Sequence, residues 1–345
     1  MEKRHLSRRE FARSAVLGAA GAAVLARGAR AAQGKTLRMG GPAPAADPEA
    51  WVRELGRRGY RAAYCPVGAD ASDDVLKAYA RAAAKADIVI AEVGAWSNPI
   101  SRDEKQRREA LALCRRQLAL AERIGARCCV NISGSRGPAW DGPSKDNLTP
   151  ETFDLIVATT RAIIDDVKPA RTFFTLETMP WAYPDSADSY LRLLKAIDRK
   201  AFAVHFDPVN LVSSPQRYFA NGALIREFFE KLGPHIRSCH AKDITLQARL
   251  MTHLDEVRPG LGNLDYAAFL GELSRFPDVP LMLEHLPDDG EYALAADHIR
   301  AVAKTLGISC LLYTSDAADD LLSVDLGGRP IINKKKTTHT PINEL

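Results

Sequence analysis

Short apolar runs alternate along the chain with longer stretches whose apolar residues recur at helical spacing. The short runs predict strands at 36–41 (TLRMGG), 60–66 (YRAAYCP), 88–94 (IVIAEVG), 127–133 (RCCVNIS), 171–178 (RTFFTLET), 202–208 (FAVHFDP), 236–242 (IRSCHAK) and 280–285 (PLMLEH). Start signals mark the helices between them. Asp47-Pro48-Glu49 opens the first and Ser72-Asp73-Asp74 the second, and Ser101-Arg102-Asp103-Glu104 resembles a capping box for 103–124. Thr149-Pro150-Glu151 puts proline at the first helical position of 150–167. Ser186, Asn221 and Leu264-Asp265 precede the fifth, sixth and seventh, and the last, 291–306, stops at Gly307. Eight strand–helix alternations imply parallel strands joined by helical crossovers. The count of eight, the short loops and the lack of a Gly-rich phosphate turn after the first strand favour a closed (β/α)8 TIM barrel, class α/β, over an open doubly wound sheet. No interdomain linker interrupts the pattern, so one domain is expected over 33–309.

The ends do not share this pattern. Charge from Arg4 to Arg13, an apolar stretch from Ser14 to Ala26 and the small-x-small site Ala29-Arg30-Ala31 read as an export signal over 1–32. Ser7-Arg8-Arg9-Glu10-Phe11 resembles the twin-arginine motif of the bacterial Tat pathway. The Tat export machinery is then a partner, the mature location is periplasmic, and the mature form is not expected to associate with a membrane. At the other end, Cys310 to Asp320 (CLLYTSDAADD) resembles the translation of a transposon-end sequencing adapter, and 310–345 is read as a non-native or disordered tail without function.

Composition narrows the function classes. Over 345 residues the net charge is +4, but residues 1–32 alone carry seven basic against two acidic groups, leaving 40 basic against 41 acidic elsewhere. The bulk charge therefore gives no reason to expect a nucleic-acid partner. The six cysteines do not form a disulfide framework: Cys65, Cys128, Cys129 and Cys239 fall in strand-like runs, Cys114 on a helix and Cys310 in the tail, so they read as small apolar side chains.

In such barrels chemistry gathers at the C-terminal ends of the strands. Four successive strands end in a candidate metal ligand: Glu177, Asp207, His240 and Glu284. Any one alone reads as a loop-capping carboxylate or a core histidine; four on consecutive strands point to one shared site. Three carboxylates and an imidazole suit one divalent ion, Mn2+ first, with Co2+, Mg2+ or Zn2+ as alternatives. Without a cation the crowded carboxylates would raise one another's pKa.

The run Glu177, Asp207-Pro208-Val209-Asn210, His240-Ala241-Lys242-Asp243, Arg258-Pro259-Gly260-Leu261-Gly262 and Leu283-Glu284 resembles the sugar phosphate isomerase/epimerase group of xylose isomerase-like TIM barrels. The resemblance spans most of 36–307 and implies that Glu177, Asp207, His240 and Glu284 hold one divalent metal. It further implies that Glu177 and Glu284 stand on opposite faces of the substrate as proton-transfer groups. Where ketose 3-epimerases of the group carry a histidine three residues after the strand-six aspartate, this chain has Asn210; their substrate-binding arginine has no direct counterpart, and Lys242 or Arg258 stands in.

The expected function is a metal-dependent sugar isomerase or epimerase on a sugar or keto-sugar. A metal holding a carbonyl and a neighbouring hydroxyl acidifies the adjacent C–H, and an enediolate forms. One Glu removes the proton and the other returns one, each step contributing about 10²–10⁴-fold. Loss of a β-leaving group instead would give elimination, as in a lyase acting on keto-glycosides. A non-catalytic sugar-binding barrel is a further alternative, and an endonuclease IV-type phosphodiesterase would need many more histidines. Candidate substrate-binding residues are His205, Asn210, Lys242, Arg258, Glu92, Trp96, Asn131 and Trp181, with Asn98 and Trp140 in the same loops. Tryptophan faces suit the apolar face of a sugar. Strand alternation points His205 the same way as Asp207, and His285 away from Glu284. A homo-oligomeric state is left open.

Overall fold

The computed structural model describes residues 35–310; the export signal and all but the first residue of the adapter-like tail lie outside them. In chain order the elements are β1 (Thr36–Gly41), α1 (Pro48–Arg57), β2 (Ala62–Tyr64), α2 (Asp73–Lys85), β3 (Val89–Gly94), α3 (Glu104–Ile124), β4 (Cys128–Asn131), α4 (Pro150–Val167), β5 (Phe173–Glu177), α5 (Ala187–Ile197), β6 (Phe202–Phe206), α6 (Pro215–Phe219), α7 (Asn221–Leu232), β7 (Ile236–Ala241), β8 (Asp243–Leu246), β9 (Leu254–Val257), α8 (Tyr266–Leu273), β10 (Pro280–Leu283), α9 (Asp289–Thr305) and β11 (Ser309–Cys310). The strands β1 to β7 and β10 pair in parallel with their sequence neighbours, and β10 returns to β1 with Met39 opposite Leu281, closing the (β/α)8 barrel. The expected fold class is the observed one.

Side-chain alternation divides the strands between two environments. Leu176, Val204, Phe206, Cys239, Ala241, Leu281 and Leu283 face the helices and join the main core with Trp51, Leu118, Ile163, Leu193, Phe228, Phe269 and Ile299. The alternate residues of the same strands, among them Glu177, His205, Asp207, Ser238, His240 and Lys242, are also buried but outside that apolar cluster. No helix among the described residues is long and apolar enough to cross a membrane. Cys114, on α3, and Cys128, Cys129 and Cys239, in strands, are buried free thiols.

Most helix starts lie where the caps placed them: the side chains of Asp47, Ser72, Thr149, Ser186 and Asp265 each accept a backbone N–H of the first turn. Two differ. Asp103 caps α3 through the Gln106 N–H, while Ser101 accepts the Asp103 N–H instead of forming a capping box. Ala220 is the cap of α7, and Asn221 is its first residue. The Asn221 amide donates to Tyr218 and Asn263 carbonyls and accepts the Asp265 N–H, a tertiary tie stronger than a local cap. The hairpin β8–β9, antiparallel with Asp243 opposite Val257, was not anticipated: its strands are short and half polar. Cys310, assigned to the tail, pairs with Leu37 as the end of β11.

Candidate metal centre at the barrel mouth

Glu177 is the last residue of β5; Asp207, Lys242 and Glu284 each follow directly on β6, β7 and β10; His240 lies in β7. One donor atom from each of Glu177, Asp207, His240 and Glu284 falls within 4.8 Å of the others. The convergence is geometric. His240 Nδ1 is 2.9 Å from Glu177 Oε1 and 2.8 Å from Glu284 Oε1, with Asp207 Oδ2 at 3.8 Å. Lys242 Nζ lies 2.9 Å from Asp207 Oδ2, 2.8 Å from Glu284 Oε1 and 4.0 Å from Glu177 Oε1.

Local structure holds each carboxylate. The other oxygen of Asp207 accepts the Val209 and Asn210 N–H groups, at 2.9 and 3.3 Å, on the turn that Pro208 starts. The Thr178 hydroxyl donates to the Asp207 carbonyl and receives the Asp207 N–H, locking the ends of β5 and β6 together. Asn210 donates its side-chain amide to Glu177 Oε1 at 3.2 Å. After Glu284 the chain turns sharply, with His285 in the left-handed region at φ 57°.

Four carboxylates, Glu92, Glu177, Asp207 and Glu284, meet two groups that favour the cationic form, Lys242 and His240. Burial opposes a charged imidazole at His240, but Glu284, Glu92 and Glu177 raise its pKa well above the ordinary histidine value. Burial likewise opposes the Lys242 ammonium, and Asp207, Glu177 and Glu284 overcome it. Burial pushes Glu177 and Glu284 up, yet His240 and Lys242 leave both below the usual carboxylate range. Asp207 goes the other way, to about 6, because burial dominates the pull of Lys242 while Glu177 and Glu284 repel its charge. Two of the inward oxygens, Asp207 Oδ2 and Glu284 Oε1, are buried without a hydrogen-bond partner of good geometry. A net negative, oxygen-rich cluster with underused buried oxygens fits a divalent cation, and its donor set of three carboxylates and one imidazole matches the preferences of Mn2+ or Mg2+.

The other candidates divide. Asn210 and Lys242 reach the cluster directly. Trp96 stands at its edge, 42% exposed, its ring 6.4 Å from that of His240. Trp181, also exposed, donates its indole N–H to the Asp141 carbonyl and so ties the loop after β5 to the loop containing Trp140. Other candidates are engaged with partners from other segments of the chain. Arg258 is bound to Glu291 at 2.7 Å, Asn131 to Cys114 and the Ser97 N–H, and Asn98 to the Ser135 backbone. Gly134, at φ 96°, is required beside Asn98, since a Cβ there would lie 2.2 Å from Asn98 Oδ1. His285 does not point away from Glu284 as alternation implied: with its backbone at φ 57°, its Nε2 lies 3.8 Å from Glu284 Oε2 and its Nδ1 3.1 Å from Glu256 Oε1. Glu92 and His205 are fully buried, with Glu92 Oε2 3.1 Å from His240 Nε2 and His205 Nε2 2.9 Å from Glu92 Oε1. Both are engaged on the Nε2 side of His240, whereas Trp96 stands at the exposed rim.

Sequence reasoning missed Ser238, whose hydroxyl donates to Glu92, and Tyr64, whose hydroxyl donates to the Leu283 carbonyl beside Glu284. Burial, Glu92 and Glu284 raise the Tyr64 pKa well above normal, so its phenol stays protonated. The alternation Ser238, His240, Lys242 was a usable signal for the first; Tyr64 had none, because β2 is only three residues long.

The sequence matches the xylose isomerase-like TIM barrel family over residues 50–302. A comparison with curated protein sequences gives no match. Among solved structures, a xylose isomerase domain protein from Planctomyces limnophilus is similar with TM-score 0.57 and 16% identity, over 79% of this chain and 98% of that one. D-psicose 3-epimerase from Clostridium cellulolyticum H10, with D-tagatose, gives TM-score 0.56 and 13% identity over 79% and 100%. A xylose isomerase-like TIM barrel protein from Mycobacterium smegmatis, in complex with magnesium, gives TM-score 0.55 and 17% identity over 79% and 96%. At these identities the likeness bears on the fold.

Proposed function

Because the chain belongs to the xylose isomerase-like TIM barrel family, we propose that it is a divalent-metal-dependent isomerase or epimerase that moves a proton next to a carbonyl of a sugar or keto-sugar. The observation that carries the reading is the convergence of Glu177, Asp207, His240 and Glu284 on one point at the barrel mouth. The sugar epimerase among the similar folds agrees with it.

Those four residues would hold the cation, Mn2+ by preference or Mg2+. When bound, it supplies Lewis-acid polarisation of the substrate carbonyl and so acidifies the neighbouring C–H. Glu177, steadied by the Asn210 amide, removes that proton. Glu284, ionised beside the Lys242 ammonium at 2.8 Å, relays a proton drawn from Lys242 or solvent to the other side, and the proton taken by Glu177 passes to solvent. The Lys242 ammonium, 3% exposed and kept charged by its carboxylate neighbours, is placed to hold a substrate oxygen as negative charge grows on it. Trp96 offers an exposed aromatic face for the apolar side of the sugar ring. Export through residues 1–32 belongs to the same proposal and favours unphosphorylated, oxidised sugars as substrates.

The test measures bound metal in the purified protein, then incorporation of solvent deuterium at the carbon beside the carbonyl across keto-sugars and keto-glycosides. Incorporation by the wild type that collapses in both Glu177→Gln and Glu284→Gln supports the reading; undiminished incorporation in both rejects it. Product analysis separates epimerisation from β-elimination, which shares the first step.

A further inference from the structure

Beneath the mouth, His240 is held from its other side. Its Nε2 lies 3.1 Å from Glu92 Oε2, while Glu92 Oε1 meets His205 Nε2 at 2.9 Å and receives the Ser238 hydroxyl. All four residues are at most 1% exposed, and the two imidazole rings cross edge-on with centroids 4.2 Å apart. An ionised carboxylate only accepts hydrogen bonds, so His240 Nε2 must be the donor. In the neutral ring the lone pair then sits on Nδ1, the atom 2.8 to 2.9 Å from Glu284 and Glu177.

We infer that Glu92 is a positioning residue, which, with Ser238 and His205 bracing it, fixes the tautomer and ring plane of His240 so that Nδ1 is the metal donor. The inference rests on the proposed metal site. It takes Glu92 out of the substrate-binding set and gives this wholly buried carboxylate a task that substrate never touches. The ring of His240 has no other side-chain carboxylate on its Nε2 side among the described residues, so without Glu92 the opposite tautomer loses its competitor. The same trio, Glu92, His205 and His240, also has the spacing to hold an ion of its own. The Ser238 hydroxyl already donating to Glu92 Oε1 favours the hydrogen-bonded role.

The experiment titrates metal-stripped full chain with Mn2+ by calorimetry and reads the His240 tautomer in the Mg2+-loaded protein by nitrogen-15 NMR. The wild type is expected to bind one equivalent with His240 protonated on Nε2. Glu92→Gln is expected to keep one equivalent at an affinity lower by about 10- to 100-fold, with a mixed or reversed tautomer. Ser238→Ala, a milder change that leaves the Glu92–His240 contact in place, should lower affinity by a smaller factor and keep the tautomer. Thermal unfolding confirms that each variant is folded. Unchanged affinity in Glu92→Gln, or an Nδ1-protonated His240 in the wild type, overturns the inference while leaving the metal site intact. A second equivalent that vanishes in Glu92→Gln overturns it too, since Glu92 would then be a ligand. A wild type that binds no metal overturns the metal site and this inference together.

Discussion

Asp243 offers a quantitative test of how the mouth is built. It is 1% exposed, and its carboxylate accepts four backbone N–H groups: Ile244 at 2.9 Å and Leu264 at 2.8 Å on Oδ1, Gly260 at 2.9 Å and Gly262 at 3.1 Å on Oδ2. These bonds draw the segment 258–264 back onto the hairpin β8–β9, which begins immediately after Lys242 and brings Glu256 to 3.6 Å from its ammonium. The approach is close enough that a Cβ at Gly262 would fall 2.2 Å from Oδ1. In Asp243→Asn one oxygen keeps two of the bonds, and the amide NH2 faces the other two N–H groups donor to donor, whichever way it is turned. Two bonds to a charged acceptor are lost and two donors are stranded, at roughly 1–3 kcal/mol each, less what water recovers at the loop edge. About 3 kcal/mol is expected, which for a barrel of this size lowers Tm by roughly 5 °C. Differential scanning calorimetry measures it, and limited proteolysis should show new cleavage within 243–264. A Tm within about 1 °C of wild type would refute the reasoning, because it would mean the four bonds contribute nothing net.

Further outcomes follow from the same structure. Chelation of bound metal should lower Tm, since a ligand present at about 100 times its Kd adds about 2.7 kcal/mol to folding stability; an unchanged melting curve after dialysis against EDTA would remove the cation from the account. Lys242→Met, which keeps the length of the side chain and removes its charge, should reduce kcat/KM by about 10²–10³-fold through kcat, as loss of one stabiliser of developing charge does; steady-state kinetics on the substrate found in the exchange screen decides it. Glu54 is held at about 2 by the Arg57 hydrogen bond first, which with the Arg58 hydrogen bond and the charges of both arginines outweighs the opposing effect of burial. Its folded pKa is depressed, so its contribution is present above about pH 4.5 and is lost as pH falls towards 2. Because these pairs lie near the surface, Glu54→Gln should destabilise by only about 0.5 kcal/mol at pH 7, and urea titrations at pH 7 and pH 2 should show the difference vanish at the lower pH.

What the sequence determined by itself was whatever depends on neighbours along the chain. Strand ends marked Glu177, Asp207, His240 and Glu284, alternation set His205 on the face of Asp207, and Asp47, Ser72, Thr149 and Ser186 marked helix starts through contacts three residues away. The eightfold count then closed the barrel, and closure alone brought four strand ends to one mouth. Only the tertiary structure decided depth and partner. Glu92 looked like a mouth residue because it lies near the end of its strand, but the register of β3 sets it below His240. Asn131, Arg258 and Asn98 were polar groups near the right loops, and each had a partner from a distant segment that no local spacing encodes: Cys114, Glu291 and Ser135. Asn221 lost its capping role for the same reason, with a better set of partners at 218, 263 and 265. Periodicity is a property of the backbone and survives folding unchanged, whereas the partner of a buried polar side chain is chosen by competition among all the groups that folding brings within about 3 Å of it.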